Sequence, residues 1–120
     1  MIKFKSFQEM PVWQKAMELS MEVFDMTVDL PRSEDYGLTS QLRKSSNSVP
    51  GNVAEAFGRK SKRDMSNLYI VARGSAYETQ SHLIYGNRVG YFENEKVKEL
   101  LNDYNELIHD INRILKSFNE

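Results

Sequence analysis

Apolar residues recur at steps of three and four in four stretches of the chain, the spacing that places side chains on one helical face. The first stretch begins at Pro11, a residue suited to a first helical turn, and ends at Pro31. Its inner positions are Val12, Ala16, Leu19, Val23, Met26 and Leu30. Five further apolar residues widen this arc, so we expect helix 1 to cover a second apolar surface besides the core. They are Trp13, Met17, Met21, Phe24 and Val28.

The second stretch keeps its apolar register from Leu38 to Phe57. Val-Pro-Gly-Asn at residues 49 to 52 argues locally for a break, because Pro50 loses a backbone hydrogen bond and crowds the carbonyl four residues earlier. The register nevertheless continues through Pro50 without a slip. We therefore predict one helix that is kinked at Pro50 and stops at Gly58.

A third helix is predicted from Ser61 to about Tyr85, followed by a loop that starts at Gly86. Ser61 with Asp64 has the pattern of a helix-starting cap. Ile70, Tyr77 and Ile84 lie seven residues apart on the side opposite the inner face of this helix. Three exposed apolar residues in register indicate a contact surface.

The last stretch has the most regular apolar seam, and Asn94 can cap its start. The seam runs from Val97 to Phe118. Four amphipathic helices joined by short loops, without strand alternation, predict an all-α fold. The expected architecture is an antiparallel up-down four-helix bundle with a proline-kinked second helix, forming a single domain over residues 1–120.

Composition agrees with one soluble globular domain: 120 residues, of which 40% are hydrophobic and 28% charged. The chain has no cysteine, which excludes disulfides, thiolate metal sites and thiol nucleophiles and suits a reducing compartment. The first ten residues contain no apolar run long enough for a signal peptide or a membrane span. We therefore expect a cytoplasmic protein without membrane contact.

Charge is concentrated between Gly37 and Arg63, where six basic residues face Glu55 alone, a net charge of +5 in a chain whose total is −1. The six are Arg43, Lys44, Arg59, Lys60, Lys62 and Arg63. Such a cluster can neutralise phosphates, which makes it a candidate nucleic-acid contact. A solvated loop is an equally good interpretation on charge alone, since the sequence pI is about 6.1 and no aromatic residues are interleaved with the cluster. Helix 1 also carries an acidic flank, and a third alternative pairs the basic edge with that flank on a neighbouring copy. The flank consists of Glu18, Glu22, Asp25 and Asp29.

Metal and catalytic chemistry find little support. Glu106 and His109 have the i, i+3 spacing of di-iron bundles, but both fall on the side away from the seam and the remaining ligands are missing. Neither histidine has an evident serine and acid partner, and no Walker loop occurs. We expect no enzymatic activity, no catalytic residues, no metal and no cofactor.

Glu55 and Glu78 border the inner faces of their helices. We interpret both as boundary surface charges, because carboxylates are seldom buried without a partner. If they pointed inward, Arg43, Arg59 or Arg73 would be the candidate partners.

Four segments carry a resemblance to a known family. They are Val12-Trp13-Gln14-Lys15-Ala16, the segment from Tyr36 to Arg43, the segment from Ser48 to Ala56, and Gly74-Ser75 with Glu78. In order and along nearly the whole chain, they resemble the four-helix bundle proteins encoded in intervening sequences of bacterial 23S rRNA genes, which are related to the accessory variability determinant of diversity-generating retroelements.

The resemblance implies an up-down bundle with a kinked second helix, assembled into a ring-like homopentamer in the bacterial cytoplasm, with no known enzymatic activity. In the retroelement branch it implies binding of nucleic acid and of a reverse transcriptase through a basic surface.

The function expected from these observations is a non-enzymatic homo-oligomer whose basic edge at residues 43–63 meets RNA or a nucleic-acid-processing protein. A protein–protein scaffold without nucleic-acid contact is the alternative. A ribonuclease or metal-dependent enzyme would need both histidines close together among carboxylates. The expected oligomer interface consists of Trp13, Met17, Phe24, Ile70, Tyr77 and Ile84.

Overall fold

The computed structural model describes residues 3–119 of the chain, and four α-helices account for most of them. The helices are α1 (Pro11–Thr27), α2 (Leu38–Phe57), α3 (Lys62–Arg88) and α4 (Asn94–Ser117). Short 3₁₀ turns at Phe7–Glu9 and Arg32–Glu34 precede α1 and α2. No β-strand occurs between residues 3 and 119, so this part of the chain is all-helical.

The helices pack around one apolar core. α1 contacts α2 and α4, and α3 contacts the same two helices. The predicted inner positions of α1 from Val12 to Val23 are buried, as is the seam of α4 from Val97 to Ile111 except for the partly buried Leu101. The described part of the molecule measures 45 × 23 × 21 Å, consistent with helices that run along its long axis. The apolar periodicity of the sequence therefore predicted which helical faces form the core.

α2 continues without interruption through Pro50, whose side chain is buried. Its small polar side chains face α3: Ser45 Oγ lies 2.9 Å from Thr79 Oγ1, and Ser48 Oγ lies 2.9 Å from Ser75 Oγ. Small side chains that satisfy each other's hydrogen bonds let two helices approach closely without leaving polar atoms unpaired.

α3 starts as predicted but ends later. Ser61 Oγ accepts a hydrogen bond from the backbone N–H of Asp64 at 3.1 Å, which confirms the predicted cap. The helix runs on to Arg88, so the prediction of a loop from Gly86 was wrong. A β-carbon on Gly86 would lie 2.4 Å from the ring of Phe92, so this glycine makes room for a core aromatic residue instead of ending the helix.

Two other predicted helix ends also shift. α1 ends at Thr27, one turn before Leu30. At the start of α4, Glu93 occupies the capping position without a side-chain hydrogen bond, and Asn94 is the first helical residue. Asn94 Oδ1 accepts instead from Nδ2 of Asn87 at 2.6 Å, and this bond ties α4 to the end of α3.

Candidate nucleic-acid interface and exposed apolar faces

The six predicted nucleic-acid-binding residues lie in two places. Arg43 and Lys44 are on the first half of α2, whereas Arg59, Lys60 and the two basic residues after them surround the turn between α2 and α3. Sixteen residues separate Arg43 from Arg59, which corresponds to about 24 Å along a helix. The structure therefore does not bring the six residues together in one patch.

Arg43 is engaged with α1. Its Nε donates a hydrogen bond to Thr27 Oγ1 at 2.9 Å, and its guanidinium carbon lies 4.1 Å from the centroid of the Phe24 ring. Arg43 is half-buried, whereas Lys44 beside it is exposed. A guanidinium that is stacked and hydrogen-bonded within the subunit has fewer donors left for a phosphate.

The other four basic residues lie in the turn between α2 and α3 and at the first two positions of α3. Arg59 forms an ion pair with Glu55 at 2.7 Å, and the hydrogen bond that Arg59 donates to this carboxylate raises the pKa of Arg59. Lys60, Lys62 and Arg63 are exposed, and none of them makes an ion pair with any residue from 3 to 119. Of the four basic residues around this turn, these three carry the charge that is available to a partner.

The turn between α2 and α3 lies at one end of the molecule, where the fold brings further basic residues close to it. We call this end the basic end. It consists of residues 3–10, 57–63 and 113–119, and Phe4, Phe57 and Phe118 line one shared groove there. These three segments contain eight basic residues and one acid, Glu9. The basic residues are Lys3, Lys5, Arg59, Lys60, Lys62, Arg63, Arg113 and Lys116.

The opposite end, which we call the acidic end, is formed by residues 28–37 and 85–95. It carries five acids against Arg32 and Arg88. Its two loops are tied together by the Tyr91 hydroxyl, which donates to Glu34 Oε2 at 2.9 Å. α2 extends between the two ends, and its 20 residues correspond to about 30 Å. Charge is therefore separated along the long axis of the molecule.

A groove of about 650 Å³, which we call the end groove, opens at the basic end. Most of its wall is apolar and includes Phe57, Met65 and Ile114. Phe57 packs edge-on to Phe7 with ring centroids 6.5 Å apart, and Tyr69 packs against Phe118 at 5.8 Å. Burial raises the pKa of Tyr69 to about 12.

Arg113 also lines the end groove, and it forms no ion pair with any residue from 3 to 119. Sequence reasoning missed this groove. It found no aromatic residue interleaved with the basic turn, because Phe4, Phe7 and Phe118 are distant in sequence and only the packed helices bring them to Phe57.

The predicted oligomer interface is partly exposed. Phe24, Ile70, Tyr77 and Ile84 have 49%, 47%, 54% and 37% of their surface exposed, which leaves them uncovered in one subunit. Trp13 and Met17 are half-buried, and Trp13 packs on Phe7 at 5.2 Å between ring centroids.

One exposed face of α3 carries no charge over several turns, and we call it the α3 stripe. It is made of Ile70, Gly74, Tyr77, Ser81 and Ile84. None of the five carries a charge, and a β-carbon on Gly74 would meet nothing within 4 Å. Met21 on α1 and Val28 just after its end extend the exposed surface around Phe24.

The candidate metal ligands form surface contacts. Glu106 accepts a hydrogen bond from Lys15 at 2.7 Å, which lowers the pKa of Glu106, and His109 is exposed nearby. His82 lies 3.2 Å from Glu78 on α3. Within residues 3–119, no three His, Cys, Asp or Glu side chains are grouped so that they could hold a metal ion.

Glu55 and Glu78 are both exposed, which confirms that they are surface charges. In the part of the chain that the structure describes, no helix has the length and hydropathy needed to cross a membrane.

Comparison with known proteins gives one family and a similar fold. Residues 8–113 match the model of a family described as 23S rRNA-intervening sequence protein. A solved structure of a protein of unknown function from the S23 ribosomal protein family of Bacteroides thetaiotaomicron superposes with a TM-score of 0.78. The match is 24% identical and covers 88% of this chain and 98% of the other, and at this identity it establishes a shared fold. No curated protein matches the chain.

Proposed function

The chain belongs to the 23S rRNA-intervening sequence protein family, and from this membership we propose that it is a non-enzymatic homo-oligomer that presents its basic end to RNA. The subunit is an antiparallel up-down four-helix bundle, kinked at Pro50, that forms a single domain over residues 1–120. The assembly is a ring of five copies in the cytoplasm, a number taken from the family resemblance.

The observation that carries RNA binding is the group of unpaired cations at the turn between α2 and α3. Lys60, Lys62 and Arg63 are exposed without an ion pair in the described chain. They stand at the start of α3, where the backbone N–H groups that the Ser61 cap leaves free favour an anion, although the carboxylate of Asp64 in the same turn offsets part of the helix dipole. Phosphates bound there would release counterions, so the affinity should fall as salt rises.

A salt titration of RNA binding tests this function. Three neutralised phosphates on a single strand correspond to a slope of about −2 in a plot of log affinity against log salt concentration. The triple variant Lys60→Gln, Lys62→Gln, Arg63→Gln should lose most of the affinity and of the slope, whereas Lys44→Gln on the distant part of α2 should keep both. Absence of RNA binding at about 50 mM salt would remove this function.

The alternative is a protein–protein scaffold without nucleic-acid contact, and the α3 stripe favours it. Its uncharged side chains offer a contact surface for a copy of the chain or another protein, whatever the basic end binds. The same titration separates the two functions, because a scaffold of this kind assembles but binds no RNA even at about 50 mM salt.

A further inference from the structure

We propose that the end groove takes unpaired bases of single-stranded RNA, while the cations at the turn between α2 and α3 hold the adjoining phosphates. This proposal rests on the proposed RNA binding and adds the class of RNA and the way it is recognised. Two features of the basic end support it: aromatic rings in an open apolar groove, and unpaired cations beside that groove.

The end groove has the chemistry of a stacking site. Its volume of about 650 Å³ is within the range of ligand-binding pockets. Phe57 lines it and has 40% of its surface exposed, so part of this side chain is accessible to a ligand. Phe4, Tyr69 and Phe118 contribute further aromatic wall. Bases of every kind can stack on such rings, because each base has a π-face.

The wall also contains a cation. Arg113 lines the end groove, and in the described chain it takes part in no ion pair. A planar guanidinium can stack on a base or donate to its edge or to a phosphate. Asp110 lies one helical turn earlier in the same wall and can accept from a base amino group, although it disfavours a phosphate at that point.

The surroundings favour a nucleic-acid strand over an uncharged apolar ligand. Ala56 and Phe57 line the end groove at the close of α2, and the next basic residues along the chain are Arg59 and Lys60. A strand whose base enters the groove would therefore have its backbone beside the unpaired cations. Duplex RNA keeps its bases stacked inside the helix and offers the groove nothing to bind.

The test compares a single-stranded RNA with a duplex of the same sequence, using fluorescence anisotropy and the full chain. We expect the single strand to bind at least about fivefold more tightly, and Phe57→Leu, which keeps an apolar side chain but removes the ring, to reduce that affinity by at least about fivefold. Tyr36→Leu is the matched control, because Tyr36 is 99% exposed at the acidic end. Its affinity should equal that of the unchanged protein.

Trp13 gives a second measurement that does not depend on a label. It is the only tryptophan of the chain and packs on Phe7, which in turn packs on Phe57. Single-stranded RNA should change its fluorescence, and Phe57→Leu should weaken that change. Circular dichroism of the variant should show unchanged helix content.

Three results would overturn the proposal. The first is that single strand and duplex bind with equal affinity, that Phe57→Leu binds RNA as tightly as the unchanged protein, and that the triple variant of the turn does not bind RNA. RNA binding would then stand, but base recognition in the end groove would not. No binding of any RNA at about 50 mM salt would remove both. A lower assembled mass of Phe57→Leu by light scattering would assign the end groove to a contact between copies.

Discussion

Arg43 on α2 holds its guanidinium carbon 4.1 Å from the centroid of the Phe24 ring on α1. From the sequence we expected Arg43 to bind nucleic acid and Phe24 to lie in the oligomer interface. In the fold they form one contact, which Arg43 completes with a hydrogen bond to Thr27. Arg43 therefore joins two helices, and its charge is partly used inside the subunit.

Arg43→Lys should lower the stability of the subunit more than its RNA affinity. A lysine lacks the planar group that stacks on Phe24 while donating to Thr27, and we expect a loss of about 1 kcal/mol in the free energy of unfolding. Urea denaturation followed by circular dichroism measures it. RNA affinity should stay within about twofold, and a loss as large as that of the triple variant of the turn would place Arg43 in the RNA interface.

The α3 stripe should be required for assembly. Tyr77→Glu or Ile84→Glu puts a charge into the proposed contact and should dissociate the oligomer, because burying an unpaired carboxylate is costly. Both positions are exposed in the subunit, so its helicity should remain. Light scattering gives the mass, and Asn102→Glu on the exposed side of α4 is the control. An unchanged mass in both α3 variants would exclude this face from the interface.

Two glycines of α3 should respond in opposite ways to alanine. Gly86→Ala would force a β-carbon into the ring of Phe92, and we expect it to cost about 1–3 kcal/mol of stability. Gly74→Ala meets no atom within 4 Å in the subunit and should stabilise the helix by about 0.5–1 kcal/mol. Thermal unfolding of both variants checks this. A fall in assembled mass for Gly74→Ala would instead show a neighbouring copy packed closely over that position.

Alkaline conditions should destabilise the fold through Tyr69. Burial raises the pKa of its hydroxyl from 10.0 to about 12. The unfolded chain then releases this proton at lower pH than the folded one, so the free energy of unfolding falls as pH rises from about 10 to 12. Urea denaturation at both ends of that window should show a smaller fall for Tyr69→Phe. Tyr36→Phe is the exposed control, and equal falls in all three proteins would contradict the assignment.

Acid should weaken the acidic end through Glu34. This carboxylate accepts one hydrogen bond from the backbone N–H of Leu38 and another from the hydroxyl of Tyr91. Both hydrogen bonds lower the pKa of Glu34 from 4.5, the first more strongly. The stability that Glu34 contributes to the fold is fully present above the ordinary pKa of a glutamate. It is lost as pH falls through the lowered pKa of Glu34 in the folded protein. The melting-temperature difference between the unchanged protein and Glu34→Gln should therefore shrink in acid. Asp35→Asn is the neighbouring control, and a difference that is constant with pH would count against this role.

The elements of the fold were readable from the sequence because each helix has its own apolar period. The pattern predicted the four helices, their inner faces and the cap at Ser61. It failed at Gly86, where a local stop signal was outweighed by the ring of Phe92, a residue that reaches the glycine only in the folded chain.

The candidate site was only partly predictable for the same physical reason. Counting charges along the sequence identified the basic residues. It could not show that Arg43 and Arg59 lie about 24 Å apart, because that distance follows from the helical path of α2. The aromatic residues of the end groove come from both ends and the middle of the chain. No local sequence pattern therefore predicts that they line one groove.

The separation of charge between the two ends gives the subunit a permanent electric dipole along its 45 Å length. In the field of a polyanion, such a body experiences a torque that turns its positive pole forward before any side chain touches the target. Copies arranged side by side in the same direction would add their dipoles, so a ring would approach with one particular rim leading.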